Sequence, residues 1–181
     1  MMPQIAQPRI VQLLASSTHR FAGRPIDGPA PAPADELVSE IKIRAGLGIV
    51  GDRYFGRAAH RDAAVTVIGQ ESLPPRLDGA ETGLAEVRRN ILLAGLPDAL
   101  NPDALRIAVD DMVGGVLVLD SGDGPVRLRV NRAAHPCAWM DVTIRPGAWR
   151  QLRGHGGVRC TPETDGVLRL GPVAVTYEGT A

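Results

Sequence analysis

Short aliphatic and β-branched runs, broken by glycine and proline, recur along the chain. Ile10 to Ala15 is the first of them and predicts a strand. Val38 to Ile43 alternates apolar with polar positions, the period of two expected of a half-buried strand. Ala64 to Ile68, between Asp62 and Gly69, and Ile91 to Ala94, closed by Gly95, are apolar enough to read as buried strands. Ile107 to Val109 and Val116 to Leu119 predict strands around the turn Val113-Gly114-Gly115. Ser121-Gly122-Asp123-Gly124-Pro125 predicts a hairpin turn. Val126 to Val130 alternates apolar residues with Arg, one face in and one wet. Gly156 to Cys160, Val167 to Leu170 and Pro172 to Tyr177 predict the closing strands.

Helical signals are fewer. Gln70 to Leu73 predicts a short helix stopped by Pro74-Pro75, Thr82 to Val87 another, and Gly147 to Arg153 a third. Residues 21–34, rich in Pro, Gly and Ala from Arg24 onward, predict a surface loop excursion. The sum is about nine short strands, few helices, no βαβ alternation and no repeat. That pattern fits a mainly β fold: a mostly antiparallel barrel or sandwich with short peripheral helices.

Composition agrees with this reading. The 181 residues suffice for one domain with its own core. With 21 Gly and 15 Pro, turns are frequent and elements short; with 3% aromatic residues, the core rests on aliphatic side chains. The formal net charge is zero, which argues against a nucleic-acid groove or a polybasic membrane anchor. No apolar stretch has the length of a membrane span. Met1 to Pro8 lacks a cationic start followed by an apolar run, so no secretory leader is expected. With one pair of cysteines and no disulfide framework, the expectation is a cytoplasmic protein with reduced thiols. Lys42 is the sole lysine and every other cationic side chain is Arg, a pattern that codon usage explains as well as function does. Its consequence is chemical. Guanidinium forks suit phosphates and carboxylates, and a Schiff base has one lysine to use.

The candidate chemistry centres on His135-Pro136-Cys137. Cys137 follows a stiff proline at the end of a strand, where a loop held by a scaffold presents reactive groups. His135 and Arg132 stand near enough in sequence to favour a thiolate. The alternative is a small buried hydrophobe, a common fate of free cysteine. Cys160, inside a strand, reads as structural. Arg88-Arg89-Asn90 precedes a buried strand. Alternation there turns one Arg into a site and the other to solvent, and Asn90 offers a donor and an acceptor; a solvated charge pair is the plainer reading. Gly51-Asp52-Arg53 groups backbone N–H groups, a carboxylate and a guanidinium, or else forms a turn in which Asp52 bonds its own backbone. The four histidines, His19, His60, His135 and His155, lack zinc-pair spacing.

Taken in order, these stretches resemble the MOSC domain, named after the C-terminal part of molybdenum-cofactor sulfurase. The matching pieces are Gly48 to Gly56, His60 to Ile68, Glu71-Ser72-Leu73, Arg88 to Gly95, Pro136-Cys137, Gly156-Gly157-Val158 and Gly166 to Val175. They span residues 38–177 of one domain, 1–181, and the chain has the length of the small stand-alone members. The resemblance implies a β-barrel-like fold and a working Cys137. That cysteine is expected to carry a persulfide or to ligate molybdenum. The expected activity is that of a sulfur carrier, a sulfurtransferase or a molybdenum-dependent oxidoreductase. A bound molybdopterin is expected to take Arg53, Arg89 and Asn90 as donors, with Arg88, Asp52, Gly51, His135 and Arg132 also candidates. The sulfur donor implied is a separate cysteine desulfurase. Pyridoxal phosphate is therefore expected on that partner and not on this chain. A non-catalytic module that binds an anion or pterin, with a structural Cys137, is the competing expectation.

Overall fold

The computed structural model describes residues 7–96 and 109–179. Twelve strands form among them: β1 (Arg9–Leu14), β2 (Leu37–Val38), β3 (Glu40–Arg44), β4 (Gly48–Ile49), β5 (Val65–Gly69), β6 (Ile91–Ala94), β7 (Val116–Asp120), β8 (Val126–Ala133), β9 (Val158–Pro162), β10 (Gly166–Arg169), β11 (Gly171–Pro172) and β12 (Ala174–Glu178). Three one-turn helices accompany them: α1 (Leu84–Val87), α2 (Trp139–Thr143) and α3 (Ala148–Gln151). The protein is mainly β, as the apolar pattern predicts.

Nine strands make one sheet in the order β11-β1-β6-β5-β9-β8-β7-β12, with β2 beside β1; β10, β3 and β4 make a second. The main sheet is mixed, because β5 and β6 run parallel, Val67 opposite Ile91 and Gly69 opposite Leu93. The expected absence of βαβ alternation is corrected at this point. A parallel pair needs a crossover, and Gln70 to Asn90, containing a 3-10 turn at Gln70–Ser72 and α1, provides it. Among the described residues the hydrogen-bonded path of the main sheet runs from β11 to β12 without closing on itself.

Alternation divides the buried residues between two layers. Ile91 and Leu93 of β6, with Val65 and Val67 of β5, point into a core shared with Ile41, Ile43, Ile49 and Leu168 of the smaller sheet. Leu92 and Ile68 point the other way, onto Leu84, Val87, Met140, Ile144, Ala148 and Leu152 of the helical layer. Strands buried on both faces read as continuous apolar runs, which is why Ile91 to Ala94 shows no polar position.

Some expectations need correction. Helix α2, after Cys137, has no counterpart in the predicted elements. The strand expected at Ile107 to Val109 falls mostly outside the described residues, and Val109 opens the 3-10 turn Val109–Met112. Gly156 and Gly157 precede β9 instead of entering it. Strand β1 lies before the stretch that resembles the family, yet it sits between β6 and β11 inside the sheet. No helix among the described residues is long and apolar enough to cross a membrane.

Candidate functional site: a basic cleft that opens on Cys137

A cleft of about 310 Å³ lies where the end of β1, the entry to β6 and the exit of β8 converge. Its wall carries Cys137 together with Arg53, Arg159 and Tyr54, and its floor carries Asp52 and Asn90. Of the residues singled out in the sequence, Cys137, Arg53, Asp52, Arg88, Arg89, Asn90 and His135 all line it. Gly51 and Arg132 do not. Gly51 turns at φ +86° on the exposed side of its loop, and Arg132 stands exposed opposite Arg159 across the β8–β9 ladder.

Cys137 is exposed, whereas Cys160 is 0% exposed in the core, where burial pushes its thiol up to about 12. The loop bearing Cys137 is held from below by Arg89. Its Nε donates to Gly156 O (2.9 Å), Nη1 to Val87 O (3.0 Å), and Nη2 to Ala134 O (2.9 Å) and His135 O (3.4 Å). Four of its five N–H groups are thus used on backbone carbonyls. Arg89 is 8% exposed, and burial above all pulls its guanidinium down to about 10, so it stays a cation at neutral pH. The expectation that Arg89 donates directly to a ligand is corrected: it fixes the loop that presents Cys137. Gly156 and Gly157 make this possible by close approach. A Cβ on Gly156 would lie 2.2 Å from Ala134 O, and one on Gly157 2.2 Å from Val67 O.

Asn90 is likewise a clamp. Its Oδ1 accepts from Thr66 N (2.9 Å) and Thr66 Oγ1 (2.8 Å), and its Nδ2 donates to Leu14 O (3.1 Å) and Asp52 Oδ2 (3.2 Å). These bonds tie β1, β5 and the Asp52 loop together and leave Asn90 no spare donor for a ligand. Asp52 also accepts from Ser16 N and, in the turn foreseen from sequence, from Tyr54 N (3.0 Å). Burial holds its carboxyl above the usual range, against the pull of those hydrogen bonds.

Arg88 departs from the expected alternation. It is the C-cap of α1 at φ 54°, the one non-glycine with positive φ among the described residues. It does not sit in an extended strand, so neither arginine turns to solvent. Its Nη1 donates to buried Glu36 (2.7 Å), which leaves its charge neutralised beside the cleft.

The free cations are others. Arg53 lies over the Tyr54 ring at 4.2 Å and donates to its hydroxyl, and Tyr54 packs on His60. Arg159 projects from β9 into the cleft. Neither Arg53 nor Arg159 pairs with a carboxylate among the described residues. Burial first, then the like charge of Arg132, lowers the Arg159 guanidinium, while Tyr54 and Cys137 act in the opposite direction. His19 is held below its ordinary value by burial and by Arg53 and Arg88, and so stays neutral at neutral pH. Phe21, at the start of the predicted excursion, stacks on Trp139 at 4.9 Å and forms part of the rim.

Arg159, Tyr54 and His60 are the residues that sequence reasoning left without a role. For Arg159 a signal existed: between Val158 and Cys160, both buried, strand alternation turns it to the opposite face. Tyr54 and His60 carry no such signal, because only the folded loops bring them together. Among the described residues no three His, Cys, Asp or Glu side chains cluster as a metal site. Lys42 stands exposed on β3 and is not part of the cleft.

No protein-family model matches the chain, and no curated protein matches it. Among solved structures, the chain is similar to the YuaD protein from Bacillus subtilis, with a TM-score of 0.65 and 15% identity over 96% of this chain and 97% of that one. At that identity the likeness is one of fold.

Proposed function

We propose that this chain is a MOSC-type protein whose Cys137 thiolate carries sulfur or binds a molybdenum cofactor. The observation that carries the reading is Cys137 itself: an exposed thiol on a clamped loop, opening into a cleft with two cations, Arg53 and Arg159, that have no acidic partner among the described residues. A buried cysteine with structural work to do, such as Cys160, has none of these features. The barrel-like body belongs to the same proposal, supported by the smaller sheet covering the core of the larger one.

As a carrier, Cys137 attacks the terminal sulfur of a partner's persulfide. A new S–S bond forms on Cys137, the old one breaks, and the partner's thiolate leaves with the electron pair. A cysteine desulfurase, with its own pyridoxal phosphate, is the donor that fits. Arg53 and Arg159 stabilise the negative charge of the Cys137 persulfide, and Arg89 keeps the loop from moving as the sulfur is received and passed on.

The donor set also fits a molybdopterin. Cys137 supplies a soft ligand and Arg53 and Arg159 supply forks for its phosphate. Asn90 and Arg89 are already committed to protein groups. When bound, the cofactor would supply a redox-active metal centre. In either version Cys137 is the reacting or ligating atom of this chain.

Alkylation tests the shared claim. At neutral pH iodoacetamide should modify Cys137 at least about tenfold faster than Cys160, because one is exposed and the other carries a thiol held far above neutrality. Equal rates would sink the reactive-thiol reading and leave a non-catalytic anion-binding cleft. Metal and pterin analysis after expression in a host that makes the cofactor separates the two versions: copurifying molybdenum favours the cofactor, its absence the carrier.

A further inference from the structure

Protein persulfides bring their own surface and need a thiol, not a pocket. The charged side chains lining the cleft around Cys137 are instead mainly cationic, with Asp52 its one carboxylate among the described residues. Arg53 and Arg159 face it with no carboxylate partner among the described residues. Asp52 accepts from Ser16 N, Tyr54 N and Asn90 Nδ2, and forms no ion pair with either arginine. The net charge of the chain is zero, so this concentration of cations is local rather than a product of composition. A second recess adjoins the cleft through His19, Arg53, Tyr54 and His60 and adds Arg57.

A small dianion matches those features, and near a thiolate it must be one that can react with it. We infer that the cleft takes a sulfur oxyanion bearing a sulfane sulfur, thiosulfate being the simplest, and that Cys137 removes that sulfur. The inference rests on the reading of Cys137 as a sulfur-accepting thiol and names its substrate class.

The step balances without an outside oxidant. The Cys137 thiolate attacks the sulfane sulfur, and a bond forms between Sγ and that sulfur. The bond between the sulfane and sulfonate sulfurs breaks, and sulfite departs with its electron pair. Arg53 and Arg159 hold the sulfonate oxygens and then the leaving sulfite, whose charge they match. A nucleophile such as cyanide or a small thiol next takes the outer sulfur and returns Cys137 as thiolate. With cyanide the product is thiocyanate.

The test uses the purified full chain with thiosulfate and cyanide and reads thiocyanate. Wild type should turn over, and Cys137→Ala should not. Arg159→Gln should lower kcat/KM by about tenfold, chiefly through KM, with Arg159→Lys recovering part of the loss, in line with a charge-assisted contact to substrate. Circular dichroism confirms that each variant is folded, and Arg53→Gln serves if an Arg159 variant is not. In parallel, inorganic polysulfide is offered to wild type, and a gain of one sulfur on Cys137 is read by mass spectrometry. Loading by polysulfide with no thiocyanate from thiosulfate overturns this inference and leaves the sulfur-carrier reading standing. Loading by neither overturns both. Turnover indifferent to both Arg159→Gln and Arg53→Gln removes the guanidiniums from the site and with them the oxyanion assignment.

Discussion

Arg89 illustrates how a buried charge can serve a site without touching its ligand. A guanidinium out of water is tolerated when its N–H groups are satisfied, and here carbonyls from three segments satisfy it. Removing it leaves those carbonyls without their donor, next to the cysteine loop. Arg89→Met should therefore cost about 3 kcal/mol of stability, read as a shift in the urea midpoint, and should speed proteolysis near His135. A variant as stable as wild type, with an unchanged cleavage pattern, would show the clamp to be dispensable. Arg159, half-buried and without an acidic partner among the described residues, belongs to the opposite class: its replacement should affect anion binding far more than stability.

At the scale of elements, the site depends on how closely β9 and the cysteine loop approach. Gly157 combines φ +83° with a position where a Cβ would meet Val67 O at 2.2 Å, on the strand pairing directly with β9. Gly122, in the hairpin between β7 and β8, has φ +110° but open space around it. Both glycines answer to backbone geometry, yet only one also answers to packing. Gly122→Ala should cost about 1 kcal/mol, the left-handed penalty alone. Gly157→Ala should cost about 3 kcal/mol, since overpacking adds to it. Thermal melts of the two variants decide this, and equal costs would mean that the β9 entry is looser than its contacts imply. The crossover from β5 to β6 has a similar positional role. It places α1 and its left-handed cap at Arg88 so that Arg89 and Asn90 enter the sheet already directed at the cleft.

For the molecule as a whole, a neutral sum conceals a polarised surface. Two cations of the cleft, Arg53 and Arg159, pair with no carboxylate among the described residues, while Arg127, Arg129 and Arg169 pair with Glu163, Glu178, Asp123 and Glu40. Such a cleft concentrates anions, and salt screens the effect over a Debye length of about 10 Å at 0.1 M. The rate of Cys137 alkylation by anionic iodoacetate relative to neutral iodoacetamide should exceed that ratio for free cysteine by about threefold or more at low ionic strength. It should fall towards the free-cysteine value as salt is added. A ratio equal to that of free cysteine at every salt concentration would remove the basic cleft as a determinant of reactivity.

The sequence alone determined most of the longer strands, the structural setting of Cys160 and the order of the motifs. Each follows from local rules: alternation, apolar runs, and turns written in glycine and proline. It also brought seven of the residues lining the cleft to notice, because they flank strands whose ends the pattern marks. The tertiary structure decided which of them are committed to protein groups and which keep free donors in the cleft. Whether Arg89 and Asn90 give their hydrogen bonds to a substrate or to backbone depends on which loops arrive beside them, and Gly156, Ala134, Leu14 and Thr66 come from distant parts of the chain. The parallel pairing of β5 and β6, and the place of Arg159, Tyr54 and His60 beside Cys137, were settled in the same way. Periodicity reports which side of a strand a residue occupies; only the packing of strands against one another reports what it meets there.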